Sequence, residues 1–263
     1  RTCTSASQYM IQSYQTGEYR GTFAVEHCKF GVQGVEPGSD AWAGPAYEDN
    51  AMYRYLYFGF LRYLRVKDCD IDFRPYSSDY AAIYCHFPDM LDVEDTRVNM
   101  LPGSSSRGSY ALNFRNSYEQ QGTEAVVTGL SLRLVANGTE SRYFAGGIKL
   151  GNHLSTRVTG LAAASVIPQG MRTPTDEYTL YQNIASFEGL QDFTMRGITL
   201  DLPHFWRCNC QLLYFYGNCY SSSPGIEREI SDVSIRLGES AETAVVNSPS
   251  YDDYRSTNEY NYY

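Results

Sequence analysis

Gly122-Thr-Glu-Ala-Val-Val-Thr-Gly-Leu-Ser-Leu-Arg-Leu-Val-Ala-Asn-Gly-Thr-Glu-Ser-Arg-Tyr-Phe-Ala-Gly-Gly-Ile-Lys-Leu150 is the stretch on which the fold reading turns. Residues 125–135 form a β-rich run in which Val127, Leu130, Leu132 and Leu134 are apolar. A polar Asn137-Gly138-Thr139 turn follows, and Gly146-Gly147 opens a second short strand. By itself this segment reads as a hairpin or a strand pair.

Similar runs flank it on both sides. They cover residues 21–35, 52–73, 81–87, 109–114, 156–166, 178–187, 193–202, 211–219 and 226–237, and most are rich in Val, Ile, Tyr, Phe or Thr. Gly, Pro, Ser and Asn separate them, as in Glu36-Pro-Gly-Ser-Asp40 and Ser221-Ser-Ser-Pro-Gly225. Phe193, Met195, Ile198, Leu200 and Leu202 alternate with a one-residue slip at Gly197, which reads as a bulge. Ile230, Val233, Ile235 and Leu237 alternate after a similar slip. Short helical turns are expected only within 45–57 and 241–246. No repeat of fixed period is apparent, and one unbroken series of strands predicts a sandwich, jelly roll or barrel.

Composition agrees with that class. The 263 residues are 43% hydrophobic, enough for a core, and include 24 Tyr, a residue suited to half-buried strand surfaces and interfaces. Only 19% are charged, which suits a surface partly covered by partners. The net charge of −9 opposes attraction to nucleic acid and argues against a DNA- or RNA-processing enzyme. Cysteines stand at 3, 28, 69, 85, 208, 210 and 219, an odd number, so at least one is free or pairs between chains. Cys69 and Cys85 fall in candidate strands and are expected as buried thiols. Cys208, Cys210 and Cys219 lack the paired spacing of a zinc site. No run is long and apolar enough for a transmembrane helix, so membrane insertion is not expected.

The search for catalysis yields little. His27, His86, His153 and His204 form no metalloprotease pattern, and no nucleophile elbow or phosphate-binding loop is present. With 30 acidic residues, a glycosidase-like carboxylate pair can always be found, so such a pair carries no weight. The chain is not expected to be an enzyme.

Two charged stretches remain. Asp89, Asp92, Glu94 and Asp95 crowd a strand end, where a solvated acidic loop is the commoner outcome and a calcium site the sharper one. Arg54, Arg62, Arg65 and Lys67 interleave with aromatic residues. That pattern fits either a nucleic-acid face or strands whose cations pair with acids elsewhere.

Three segments together resemble a known family. Phe60-Leu-Arg-Tyr-Leu-Arg-Val-Lys-Asp-Cys-Asp-Ile-Asp-Phe-Arg-Pro75 with Ala81-Ala-Ile-Tyr-Cys-His-Phe-Pro-Asp89 is the first, and 125–150 is the second. The third is Gln211-Leu-Leu-Tyr-Phe-Tyr-Gly217 with Ile226-Glu-Arg-Glu-Ile-Ser-Asp-Val-Ser-Ile-Arg-Leu-Gly-Glu239. In order and spacing they resemble the single jelly-roll coat proteins of small icosahedral viruses, nodavirus-like and tombusvirus-like, including bacilladnavirus-like coats.

The resemblance implies an all-β fold, a single eight-stranded antiparallel jelly roll with loop excursions and an extended C-terminal tail. Residues 1–20 would be an N-terminal extension, 21–239 the shell domain with a surface excursion at 151–192, and 240–263 a polar, Tyr-rich tail. It implies a coat protein that assembles with many copies of itself into a virion inside the host cell. Arg54, Arg62, Arg65 and Lys67 would face the packaged nucleic acid, Asp89, Asp92 and Asp95 would hold calcium at subunit interfaces, and a host receptor would be a further partner. The basic arm such coats use for packaging is not seen in this chain, so packaging would rest on an arm outside it. The competing expectation is a secreted, disulfide-containing β-sandwich that binds glycans or a cell surface through Trp42 and Trp206, with a glycan on Asn137.

Overall fold

A computed structural model of the chain describes residues 9–14, 21–31, 54–73, 81–100, 110–116, 121–135, 147–166, 178–180, 184–189, 191–203, 205–208, 212–216 and 228–237. The regular elements among them are all strands, so the all-β class holds. The antiparallel jelly roll does not. Every strand pair is parallel, and the strands form a seven-stranded sheet, a twelve-stranded sheet and a separate two-stranded one.

The chain winds as a parallel β-helix. Each coil gives one strand to each of three faces, and the next coil lays its strands beside them. Coil 1 is β1 (Tyr9–Tyr14), β2 (Thr22–Glu26) and β3 (Lys29–Phe30). Coil 2 is β4 (Arg54–Gly59), β5 (Tyr63–Lys67) and β6 (Asp70–Phe73). Coil 3 is β7 (Ala81–His86), β8 (Met90–Glu94) and β9 (Arg97–Met100). Coil 4 is β10 (Tyr110–Arg115), β11 (Gly122–Thr128) and β12 (Ser131–Val135), and coil 5 is β13 (Ile148–Gly151), β14 (His153–Thr159) and β15 (Ala162–Val166). After β16 (Tyr178–Leu180), coil 6 follows as β17 (Ala185–Glu188) and β18 (Asp192–Leu202), the latter serving both the second and third faces. β19 (Phe205–Cys208) pairs with β16, and coil 7 is β20 (Leu213–Tyr216) with β21 (Arg228–Leu237).

The first face is the seven-stranded sheet β1-β4-β7-β10-β13-β17-β20. The second face, β2-β5-β8-β11-β14, and the third, β15-β12-β9-β6-β3, join through β18 into the larger sheet, with β21 beside β18. Parallel neighbours need a crossover of a dozen or more residues, and here the rest of the coil is that crossover.

Register stacks like on like. Val25, Val66, Val93, Val127, Val158 and Met195 form one inward column on the second face, all buried. On the first face Phe58, Cys85, Phe114, Leu150 and Phe187 form another. Burying one such side chain stabilises by roughly 1.5–3 kcal/mol, so each coil is held mainly by its neighbours. Cys69 and Cys85 are buried free thiols as expected, and burial pushes both thiol pKa values up.

The corner between the second and third faces explains the apparent slips. His27, Asp68, Asp95, Gly129, Gly160, Gly197 and Asp232 have φ between 45 and 67°. Each turns the chain in one left-handed residue, a conformation that suits Gly and is tolerated by Asp. The residues that follow, Cys69, Thr96, Leu130, Leu161 and Ile198, point into the core. The ladder runs unbroken around the bend, as in Asp95 N–H to Thr128 O (2.9 Å) and Gly129 N–H to Thr159 O (2.9 Å). Gly197 is therefore a corner inside a continuous strand, not a bulge. Gly129 is required for a second reason, because a Cβ there would collide with the Asp95 carboxylate.

The same facts correct the central stretch. β12 pairs with β9 and β15, and β13 pairs with β10 and β17, so 122–150 holds no hairpin. The final pair, β20 and β21, belongs to two different sheets. β1 lies within the segment expected as an extension, and β14, β15 and β17 lie within the one expected as an excursion. The physical reason is that alternation fixes which side chains face inward but not which strand lies alongside. The repeat stays hidden because segments of unequal length, 31–53, 74–80, 101–109, 136–147 and 167–184, all connect the third face to the next coil's first face. Trp42, Asn137, His204, Cys3, Cys210, Cys219 and the tail from 238 lie outside the described residues, as does the side chain of Trp206 in β19.

Candidate functional site

The two charged stretches meet on the outer side of the second face. Arg65 in β5 reaches Glu26 in β2 (3.3 Å) and Asp92 and Glu94 in β8 (3.6 and 3.1 Å). Lys67 Nζ lies 2.8 Å from Glu94 Oε2. The hydrogen bond from Lys67, together with the Arg65 guanidinium, holds the Glu94 carboxyl below the usual carboxylate range. Tyr63 donates to Asp92 (3.1 Å), and Arg157 and Glu124 continue the alternation at 3.6 Å. In-register stacking thus sets the cations of one coil against the acids of the next. Arg62 is exposed at the corner before β5, and Arg54 opens β4 on the first face, so the four basic residues do not share one surface.

The three candidate calcium ligands are strung along one strand and its two corners. Asp89, before β8, accepts from the Thr123 amide (3.1 Å) and hydroxyl (2.5 Å). Asp92 faces Arg65 and Tyr63. Asp95 is the left-handed corner residue after β8 and is exposed. Among the described residues, no group of three His, Cys, Asp or Glu side chains is placed to hold a metal ion.

A buried polar knot closes the corner between the first and second faces. Asn116 Nδ2 donates to Pro88 O (2.9 Å) and lies 3.1 Å from His153 Nε2, while Asn152 Nδ2 donates to Asn116 O (2.9 Å). His153 is only 1% exposed, and burial brings its pKa down to about 4, against the opposing pull of the Pro88 carbonyl and Asp89. The imidazole is therefore neutral near pH 7. Gly122 leaves room for it, since a Cβ there would sit 2.6 Å from Pro88 O. This knot ties coils together and is closed to ligands.

The outer side of the first face is different. Register places Gln12, Tyr57, Tyr84, Asn113, Lys149, Ser186 and Tyr214 in one outward column. Gly59, His86, Arg115, Gly151 and Glu188 form the column beside it. Tyr57 and Tyr84 have ring centroids 5.6 Å apart, Tyr84 and His86 4.6 Å, His86 and Phe87 5.8 Å, and Phe87 and Phe60 4.8 Å. These rings pack into one continuous aromatic array over coils 2 and 3, with Tyr84 buried and Tyr57, Phe60, His86 and Phe87 half-buried.

Asn113 follows Tyr84 directly in register and precedes Lys149. It is 3% exposed, and its Oδ1 is buried without a hydrogen-bond partner. A buried amide oxygen left this way costs about 1–3 kcal/mol. Arg65 Nε, Arg97 Nε, Asn99 Oδ1, His153 Nδ1 and Thr156 Oγ1 are buried without a hydrogen bond as well, but among the described outward residues of the first face Asn113 Oδ1 stands alone. Arg115 is exposed alongside, and Glu188 is half-buried further along.

Tyr57 and Phe60 fall in the stretch where Arg54, Arg62, Arg65 and Lys67 interleave with aromatic residues, whereas Tyr84, His86 and Asn113 carry no pattern visible in the sequence. The abundance of Tyr is the one signal that points toward them, and it has no position until register is known. No protein-family model, curated protein or solved structure matches this chain.

Proposed function

We propose that the chain binds carbohydrate along the outer side of its first face. The observation that carries this reading is the unpartnered, buried Asn113 oxygen at the end of a stacked aromatic array. A pyranose ring offers apolar C–H faces that pack on aromatic rings and hydroxyl groups that donate to amide oxygens. Strands repeat every ~4.8 Å along the coil axis, so an extended polysaccharide lying along that axis would meet the half-buried Tyr57 and His86 and the exposed Arg115, and would reach Tyr84 and Asn113 beneath them by displacing their cover. Arg115 and Glu188 supply further donors and acceptors for ring hydroxyls. Solenoids present extended surfaces of this kind to their ligands.

The glycan-binding half of the competing sequence reading survives on different residues and a different fold. The shell reading rested on a jelly roll, and no observation on the coiled fold supports it.

Titration calorimetry against a panel of soluble linear polysaccharides tests the proposal. At least one should bind, and Asn113→Leu should weaken it tenfold or more. The same substitution should leave thermal stability unchanged or raised, because it removes an unsatisfied buried oxygen. Absence of binding across the panel, or full binding by the Asn113→Leu protein, would end the proposal.

A further inference from the structure

The last coil stops at an open edge. β21 pairs with β18 on one side, and no described strand lies on the other. Ile230, Val233, Ile235 and Leu237 are 51, 39, 47 and 43% exposed. Their register partners Met195, Ile198, Leu200 and Leu202 are buried. These four side chains therefore prolong the inner columns, and no coil among the described residues lies over them. An unpaired strand edge over an uncovered core is a template for another strand.

The sequence of β21 indicates which strand. Glu229-Ile-Ser-Asp-Val-Ser-Ile-Arg236 reads alike from both ends in its Ile and Ser residues, with the charge reversed at its termini and the unlike pair Asp232 and Val233 at its centre. Antiparallel two-fold pairing opposes Glu229 to the partner's Arg236, Ile230 to the partner's Ile235 and Ser231 to the partner's Ser234. The bend at Asp232, φ 55°, fits that symmetry. A two-fold axis bisecting the corner exchanges the second-face leg of β21 with the third-face leg of its mate and keeps the apolar side inward. Such an isologous contact closes with two subunits.

We propose that this edge is the interface of an end-to-end homodimer, β21 against β21. Glu229 already meets Arg196 and Arg236 meets Asp201, each at 2.5 Å, yet their side chains stay 45 and 67% exposed. Across the interface the charges would alternate: Arg196, Glu229, then the partner's Arg236 and Asp201. The two Asp232 carboxylates flank the axis on the exposed corner, where water screens them. Head-to-tail stacking is less well matched. It would continue the existing columns and set Glu229 over Ala24 and Ser231 over Glu26, leaving Asp232 over the corner His27 as the one acid set against a basic group.

Sedimentation of the full chain, with two charge variants, tests the proposal. The wild type should show twice the 29.7 kDa chain mass and dissociate on dilution. E229R and R236E each set like charges against each other twice and should weaken the dimer at least tenfold. Mixed in equal amounts, the two variants should regain the wild-type mass, because every opposed pair in the heterodimer then carries opposite charges. The contacts with Arg196 and Asp201 are unaltered by mixing, so they cannot produce that recovery. A wild type that remains monomeric at high micromolar concentration overturns the proposal, whether its β21 amides exchange freely or are protected by another segment of the same chain. Filaments, a variant that dimerises like the wild type, or a mixture that stays monomeric overturn it as well.

Discussion

The first and second faces of the coil are built alike on the inside and differently on the outside. Inside, both stack one apolar residue type over another through successive coils, as Val66, Val93 and Val127 do on one face and Phe58, Cys85 and Phe114 on the other. Outside, the second face pairs its charges: Arg65 lies among Glu26, Asp92 and Glu94, and Lys67 takes Glu94, although Arg65 Nε is buried without a formed hydrogen bond. The first face carries stacked rings and a buried Asn113 oxygen with no partner. A surface that answers its own charges needs no ligand to explain it. A surface that retains an unsatisfied buried acceptor gives up stability there, which is expected where function resides.

The inner columns give the largest test of this comparison. Phe114→Ala should cost about 3–5 kcal/mol of unfolding free energy in denaturant melts, because Phe114 is fully buried between Cys85 and Leu150. A loss under about 1 kcal/mol would show that the columns do not carry the stability assigned to them.

Next comes the corner that joins the two faces. The folded pKa of His153 lies near 4, below its ordinary 6.5. The unfolded chain therefore takes up this proton first as pH falls. The stabilisation is complete above about pH 6.5 and is lost progressively toward pH 4, by on the order of 3 kcal/mol in all. His153→Gln should flatten stability over that window. A pH profile unchanged by the substitution would show that some other group carries the dependence.

Binding separates the faces directly. Tyr57→Ala should raise the polysaccharide Kd about tenfold, or ~1.4 kcal/mol, while Arg157→Ala on the second face leaves it unchanged. Equal effects from both would dissolve the distinction between the faces. The smallest effect belongs to the charge ladder itself. Arg65→Ala should lower the melting temperature slightly, and the deficit should shrink in 1 M salt because exposed pairs are screened. A large, salt-independent loss would mean that the ladder is structural in a way its exposure does not suggest.

Much of the fold was legible in particular residues. The apolar series Val127, Leu130, Leu132 and Leu134 marked inward positions correctly, and all four are buried. The slips at Gly197 and before Val233 were visible too, and the one at Gly197 read as a bulge. The signal that separates them is repetition: Asp68-Cys69, Asp95-Thr96, Gly129-Leu130, Gly160-Leu161 and Gly197-Ile198 each pair a left-handed residue with a buried one. Antiparallel sandwiches have no reason to repeat such a corner in every segment. The candidate site was far less legible. Tyr57, Tyr84, His86 and Asn113 lie in four separate strand positions, and nothing local marks them as neighbours.

By itself, the sequence determined that this protein is built of strands and, within the runs it marked, which side chains turn inward, because a period of two in hydrophobicity is a local property of the backbone. The strands at 9–14 and 90–100 and the division of long runs such as 52–73 were not read from it. Only the tertiary structure decided that the strands run parallel in stacked coils, that the acids of 89–95 answer the cations of 62–67, and that scattered aromatic residues share one outer surface. Those outcomes depend on which strand lies beside which, and a strand's own pattern of alternation is satisfied equally by a parallel or an antiparallel neighbour.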